Sequence, residues 1–190
     1  MSYASNAGTF LIETLVGLVM LVFMLRLLFQ MVRADFQNPV SQFVLKVTNP
    51  VLVPLRRAIP SMGSIDTSSV LVILAIQYLE LFLLALVLGV QFFPLGMIVV
   101  AIAKLIGLVI TVFTISILIQ IVISWVNPGA YNPITALLYQ LNEPILGRAR
   151  KILPPIHGFD LSPIIAMIVL QLLSMLVVAP IADFGVSIRS

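Results

Sequence analysis

Two stretches of this chain are copies of one another, and that duplication limits the fold more than any single residue does. Residues 38–77 and 132–171 align without a gap at an offset of 94 (132 − 38). At that spacing Asn38, Pro39, Pro50, Leu52, Arg56, Pro60, Asp66, Ser68 and Gln77 fall on Asn132, Pro133, Pro144, Leu146, Arg150, Pro154, Asp160, Ser162 and Gln171. Apolar identities between greasy segments carry little information, but these matches are mostly prolines and polar residues. They mark an internal repeat, so the chain must fold as two similar units, 1–94 and 95–190.

What flanks the copies sets the solvent. Hydrophobic residues make up 61% of the chain, charged residues only 9%, and the mean hydropathy is +1.20. A soluble domain carries roughly 25% charged residues, so the expectation is a polytopic membrane protein. The formal charge of +3 is too small for a nucleic-acid surface and fits contact with anionic lipid headgroups. The absence of cysteine excludes disulfides, thiolate metal sites and cysteine nucleophiles together. The first apolar run has no Lys or Arg before it and no cleavage-site pattern after it, and it reads as a retained span.

Four spans are expected, at about 9–32, 69–93, 105–126 and 163–182. The 32 residues from 95 to 126 would reach about 48 Å as one helix, beyond a hydrocarbon core of about 30 Å. Lys104 is therefore placed at the outer interface and 95–103 read as an interfacial segment or a helix extension. Trp125 marks the opposite interface. Seven basic residues (Arg33, Lys46, Arg56, Arg57, Arg148, Arg150, Lys151) lie on the loop side against two (Lys104, Arg189) on the other. The charge bias puts both loops in the cytoplasm and both termini outside. Each copy crosses the membrane an even number of times, so the repeats are parallel, unlike those of inverted-repeat transporters. The fold class is thus all-α, with four transmembrane helices in two span-loop-span repeats.

The loops are not hydrophilic. Each opens with Asn-Pro, a cap followed by a first-turn proline, and then allows a two-turn helix over 40–47 or 134–141. Pro50 and Pro144 are expected to break it. A second short helix would carry Arg56 and Arg57, or Arg148, Arg150 and Lys151, and stop at Pro60 or Pro154. Such amphipathic pairs suit the membrane surface or a re-entrant position. At the exits, Ser68 or Ser69, and Ser162, read as N-caps of the next spans, with Asp66 and Asp160 favourable at the positive helix end. A second reading has these aspartates pair with the basic residues and lock the loop, and a third has them coordinate an ion.

Polar residues within the spans are the other candidates. Arg26 and Glu80 lie on adjoining spans at depths estimated to differ by about 6 Å, within reach of an arginine. Their equivalents in the second copy are Gln120 and Ser174. A structural ion pair competes here with a permeation or proton site and with a partner contact. Gln77 and Gln171 are expected to hydrogen-bond between helices at the repeat interface. His157 stands alone, no glycine pair has dimer-motif spacing, and no nucleophile-base set, metal cluster or phosphate loop is found. Neither an enzyme nor a cofactor is expected.

In these residues the chain resembles the YggT/YlmG family of small bacterial and plastid membrane proteins, in its two-copy bacterial form. The family motif runs span, NP, P-x-R-R-x-x-P, then D-x-S before the next span. The first copy matches at Asn38-Pro39, Pro54, Arg56, Arg57, Pro60, Asp66 and Ser68. The second has Ser124-Trp125-Val126-Asn127-Pro128 before Asn132-Pro133, and keeps Arg150, Lys151, Pro154, Gly158, Asp160 and Ser162. It departs at Arg148, which replaces Pro54. The resemblance implies a bacterial inner-membrane location and no established catalysis. It also implies links to osmotic or ion homeostasis, to cell-division gene neighbourhoods, and in plastids to cytochrome assembly and nucleoid distribution. The leading expectation is a scaffold or assembly protein that meets lipid and another membrane protein through its loops, with self-assembly left open. A small ion channel or transporter subunit is the alternative, and an anionic-lipid-binding module the third.

Overall fold

The computed structural model describes residues 3–59, 66–127, 129, 132–153 and 160–188. It is helical, with no strand among the described residues. The elements are α1 (Tyr3–Met31), α2 (Pro39–Ala58), α3 (Thr67–Leu88), α4 (Pro94–Val126), α5 (Pro133–Ile152), α6 (Ser162–Leu173), a π-helical turn (Ser174–Val178) and α7 (Ala179–Ser187). Four helical stretches are long and apolar enough to span a bilayer: α1, α3, α4 and the continuous run Ser162–Ser187. The Tyr3 end of α1 and the Ser187 end of α7 lie on one side of this bundle, and α2 and α5 on the other.

Besides α1, which starts at Tyr3 and not at 9, the span ends differ from the sequence reading mainly at three places. The second span stops at Leu88, not 93, because Gly89 takes the left-handed conformation (φ 64°) that closes a helix and that a side chain would resist. The third is a single 33-residue helix from Pro94, about 50 Å long, so 95–103 extends the span. The fourth runs past 182 to Ser187 through the π turn. Pro180 accounts for that turn: its ring and missing N–H cannot follow α-helical geometry, and a wider turn absorbs the mismatch.

The expected proline breaks do not occur. α2 is one 20-residue helix containing Pro50 and Pro54, and α5 is one 20-residue helix containing Pro144. All three prolines are exposed, and so are Lys46 and Gln140, whose carbonyls Pro50 and Pro144 leave without a helical donor. The lost bonds therefore fall on the outer face, where they cost least. Asn38 starts α2 by accepting from the Val40 N–H (2.9 Å). Asn132 starts α5 in a capping box with Thr135. Pro60, Pro154, His157 and Gly158 lie outside the described residues.

Lipid tails are as apolar as leucine, so the spans are held by close packing and polar contacts more than by hydrophobic burial. α1 pairs with α3, and α4 with α6 and α7. A core on the loop side joins the copies: Phe23, Met24 and Leu27 of α1 pack with Val44 and Leu52 of α2, Ile73 of α3, and Leu137 and Leu141 of α5. Asn38 Nδ2 donates to the Pro133 carbonyl (2.7 Å), and the Asp35 N–H to Gln140 Oε1 (2.9 Å), tying the loop helices together. At the opposite end Gly96 and Gly185 bring α4 and α7 into backbone contact. A Cβ at Gly96 would sit 2.5 Å from the Gly185 carbonyl oxygen. α1 and α4 touch only sparsely, and an apolar recess of about 580 Å³ lies between them.

Candidate functional site

The motif residues of each copy converge where the loop helix meets the start of the following span. In the first copy Arg56, in the last turn of α2, points back at Asp66, which precedes α3. Its Nε donates to Asp66 Oδ2 at 3.0 Å, its Nη2 forms an ion pair with the same oxygen, and Nη2 also donates to Gln30 Oε1 of α1 (3.1 Å). The Ser69 hydroxyl donates to Asp66 Oδ2 as well. One guanidinium thus staples α1, α2 and α3. Only 1% of the Asp66 side chain is exposed. Burial works to raise its pKa, but the Arg56 and Ser69 hydrogen bonds and the Arg56 charge outweigh this and hold the carboxyl below its ordinary value.

The second copy repeats the clamp with looser surroundings. Arg150 Nε donates to Asp160 Oδ2 (3.0 Å), and Nη1 to Glu143 Oε2 (2.9 Å), about two turns back on α5. Asp160 Oδ1 accepts from the Ser162 N–H (2.9 Å). The Asp160 side chain is 36% exposed. Burial again works upward, and the Ser162 and Arg150 contacts bring its carboxyl below the ordinary value. For Arg150, burial acts to lower the pKa, and the bonds to Glu143 and Asp160 raise it.

Capping at the span starts differs from the serine assignment. Ser68 lies inside α3, and its hydroxyl donates to the Ile59 carbonyl (3.2 Å), tying the end of α2 to α3. Ser162 is already the first residue of α6 and offers Asp160 its N–H. The aspartates organise both junctions because a charged carboxylate can form an ion pair with an arginine while also accepting from a helix-start donor, whereas a neutral serine hydroxyl cannot form the ion pair. The remaining basic residues of these helices, Lys46, Arg57, Arg148 and Lys151, are exposed.

The expected Arg26–Glu80 pair does not form. Arg26 sits about 8 Å from the Met31 end of α1, whereas Glu80 is about 20 Å from the Thr67 end of α3, roughly twice the estimated separation. Glu80 instead accepts from Gln77 one turn away and lies 3.7 Å from Lys104 Nζ of α4. Lys104 is therefore engaged with the bundle. Arg26 is buried, stacks over Phe36 at 5.6 Å, and leaves Nε and Nη1 without a hydrogen-bond partner among the described residues. Its counterpart Gln120 accepts from Asn142 Nδ2 (2.7 Å), whose Oδ1 accepts from the Ser116 hydroxyl (2.6 Å). The glutamines do not meet at a repeat interface either, since Gln77 bonds within its own helix and Gln171 is exposed. Asn142, Ser116, Gln30 and Glu143 were missed from sequence. Only Asn142 carried a signal, as a polar residue on the buried stripe of Leu141 and Leu146.

Comparison with known proteins places this geometry in a lineage. The CCB3/YggT family description matches twice, over residues 5–87 and 99–181, and both ends are offset by 94 residues (99 − 5, 181 − 87). An uncharacterized protein of Pseudomonas aeruginosa is 40% identical over 180 residues, covering 94% of this chain and 91% of that one. The uncharacterized protein YggT of Escherichia coli K12 is 40% identical over 172 residues, 90% and 88% of the two chains. An uncharacterized Haemophilus influenzae protein is 37% identical over 169 residues, 86% and 87%. No solved structure matches. With two full family matches at the spacing of its internal repeat, the chain belongs to the CCB3/YggT family.

Proposed function

We propose that the protein is a non-enzymatic scaffold or assembly factor of the bacterial inner membrane, acting in osmotic or ion homeostasis or in the organisation of membrane complexes. Its loop face lies in the cytoplasm, with both termini outside. The supporting observation is that each clamp uses one arginine to fix an amphipathic helix against the spans, while Lys46, Arg57, Arg148 and Lys151 remain exposed on that same face. A rigid, basic surface of this kind suits anionic headgroups and a partner membrane protein.

Photo-cross-linkers at Arg57 and Lys151 in native membranes test this. The expected result is a reproducible adduct with one membrane protein, lost when Arg57, Arg148 and Lys151 are replaced by glutamine. Adducts with lipid alone would sink the partner role. In reconstituted liposomes, a K⁺ or Na⁺ flux abolished by Glu80→Gln would favour a channel or transporter subunit instead. Single cysteines at Tyr3 and Lys46 of this cysteine-free chain should label from opposite sides of the membrane, and labelling from the same side would refute the orientation.

A further inference from the structure

The two copies differ most beside their clamps. In the first, Met24, Arg26, Leu27, Asp66, Ser69 and Ile73 are all buried. Their equivalents at the 94-residue offset, Leu118, Gln120, Ile121, Asp160, Pro163 and Met167, are all partly or fully exposed. The reasons are local. Pro163 has no hydroxyl to give Asp160, as Ser69 gives Asp66. Ser124, in the place of Gln30, is too short to reach the arginine and bonds its own helix at the Ile121 carbonyl (2.8 Å). Gln120 is turned to Asn142. The clamp survives, and the volume beside it stays open as a cavity of about 680 Å³ between α4, α5 and α6.

This cavity has two chemically distinct ends. Ile117, Ile121 and Met167 form an apolar wall, while Arg150, Asp160 and Ser124 line the polar end. Trp125 (80% exposed) and Tyr139 (49% exposed) stand on its rim, the residue types that settle at headgroup level. An amphiphile lying along the spans matches that division. Charge selects the headgroup. Arg150 is held between Glu143 and Asp160, so a purely anionic head would approach the arginine against two carboxylates. A head carrying both a phosphate and a primary ammonium meets complementary groups on each side.

The geometry points to a zwitterionic aminophospholipid bound in the second copy alone, its phosphate on Arg150, its ammonium on Asp160, and a chain along Ile117, Ile121 and Met167. A quaternary ammonium cannot donate hydrogen bonds and should bind less well. The assignment is independent of the scaffold reading, because lipid retention reports on the cavity and cross-linking on the exposed basic residues.

Native mass spectrometry of the detergent-solubilised full chain tests it, with dioleoyl phosphatidylethanolamine, phosphatidylcholine and phosphatidylglycerol added separately. Retention of phosphatidylethanolamine by about tenfold over the other two is expected, a ratio within reach of one charge-assisted contact. Asp160→Asn should erase the preference. Because that change also loosens the clamp, Ile164→Trp provides a second arm, since Ile164 lines the cavity, is exposed and is not a member of the ion pair, and the indole would fill the space. It should lower retention with unchanged thermal stability. Equal retention of the three lipids, or a preference that survives both variants, would overturn the proposal. Displacement of the lipid by free phosphoethanolamine would reassign the cavity to a soluble ligand and overturn the lipid assignment.

Discussion

Neutralising the two clamp aspartates should have unequal costs. Asp66 is 1% exposed and holds Arg56, which is 34% exposed; Asp160 is 36% exposed and Arg150 30%. Removing one member of a fully buried pair costs about 3–5 kcal/mol, because the survivor is left charged and unpaired. Arg56 has partial access to water, and the amide introduced by Asp66→Asn would keep the Ser69 contact, so about 2–3 kcal/mol is expected for that variant. For Asp160→Asn the exposed-pair range applies, about 0–1 kcal/mol, and Glu143 still holds Arg150. Arg26 sharpens the contrast. Arg26 is repelled by the Arg56 charge and attracted by that of Asp66, so Asp66→Asn leaves two cations without the carboxylate that offsets their charges. Arg26→Gln installs the residue of the second copy and should be neutral or stabilising by itself, since two Arg26 nitrogens are buried without partners among the described residues. In the Asp66→Asn background it should recover about 1 kcal/mol. Equilibrium unfolding of the purified protein by a denaturing detergent, followed by far-UV circular dichroism, measures all four variants. Equal losses for Asp66→Asn and Asp160→Asn, or strictly additive Arg26→Gln, would refute the assignment of stability to burial of the first clamp.

Three further outcomes can be checked by the same titration. Gly96→Ala should cost about 1–3 kcal/mol, because its Cβ would lie 2.5 Å from a backbone oxygen of α7 that cannot rotate away, whereas Gly17→Ala, with nothing within 4 Å, should be neutral or better. Asn38→Ala should lose about 1–2 kcal/mol by removing both the α2 cap and the bond to the Pro133 carbonyl, with Asn132→Ala, a cap alone, nearer to about 1 kcal/mol. On acidification, both carboxyls lie below their ordinary value of 3.8 in the folded protein, so their stabilisation is complete above that value and is lost as pH falls through the lowered native ones. The unfolding midpoint should hold down to about pH 5 and fall below about pH 4, and Asp66→Asn should flatten that fall more than Asp160→Asn.

Composition and the polar matches between copies were enough to read the helical class, the four spans, the parallel repeats and the Asn-Pro helix starts. What escaped was geometry that depends on the third dimension. Proline signals a break in a linear reading, but Pro50, Pro54 and Pro144 all face outward, and whether a proline breaks or merely bends depends on which face it occupies. Counting depth from the expected span ends puts Arg26 near Glu80, and shifts of one residue at the end of α1 and two at the start of α3 widen the gap beyond reach. Lys104 looked like a boundary marker because only its neighbours in sequence were visible, not the α3–α4 hairpin that brings it to Glu80. The serine caps failed for a chemical reason: next to a carboxylate with an arginine in range, a hydroxyl becomes the minor partner.

The difference between the copies follows from this same competition. The clamp itself, Arg-x(9)-Asp, is identical at both sites, so the repeat's defining motif does not decide which copy is closed. That is decided by residues the motif leaves out: Gln30 against Ser124, Ser69 against Pro163, Arg26 against Gln120. In the first copy each adds a bond or bulk at the clamp; in the second each withdraws one or directs it elsewhere, as Gln120 does toward Asn142. Exchanging these three positions should therefore exchange the character of the two sites while leaving both clamps in place, with Asp160 protected and Asp66 opened. A chain so altered that kept its original pattern of carboxylate accessibility would show that the difference lies in the connections between helices, and not in the side chains that face the clamps.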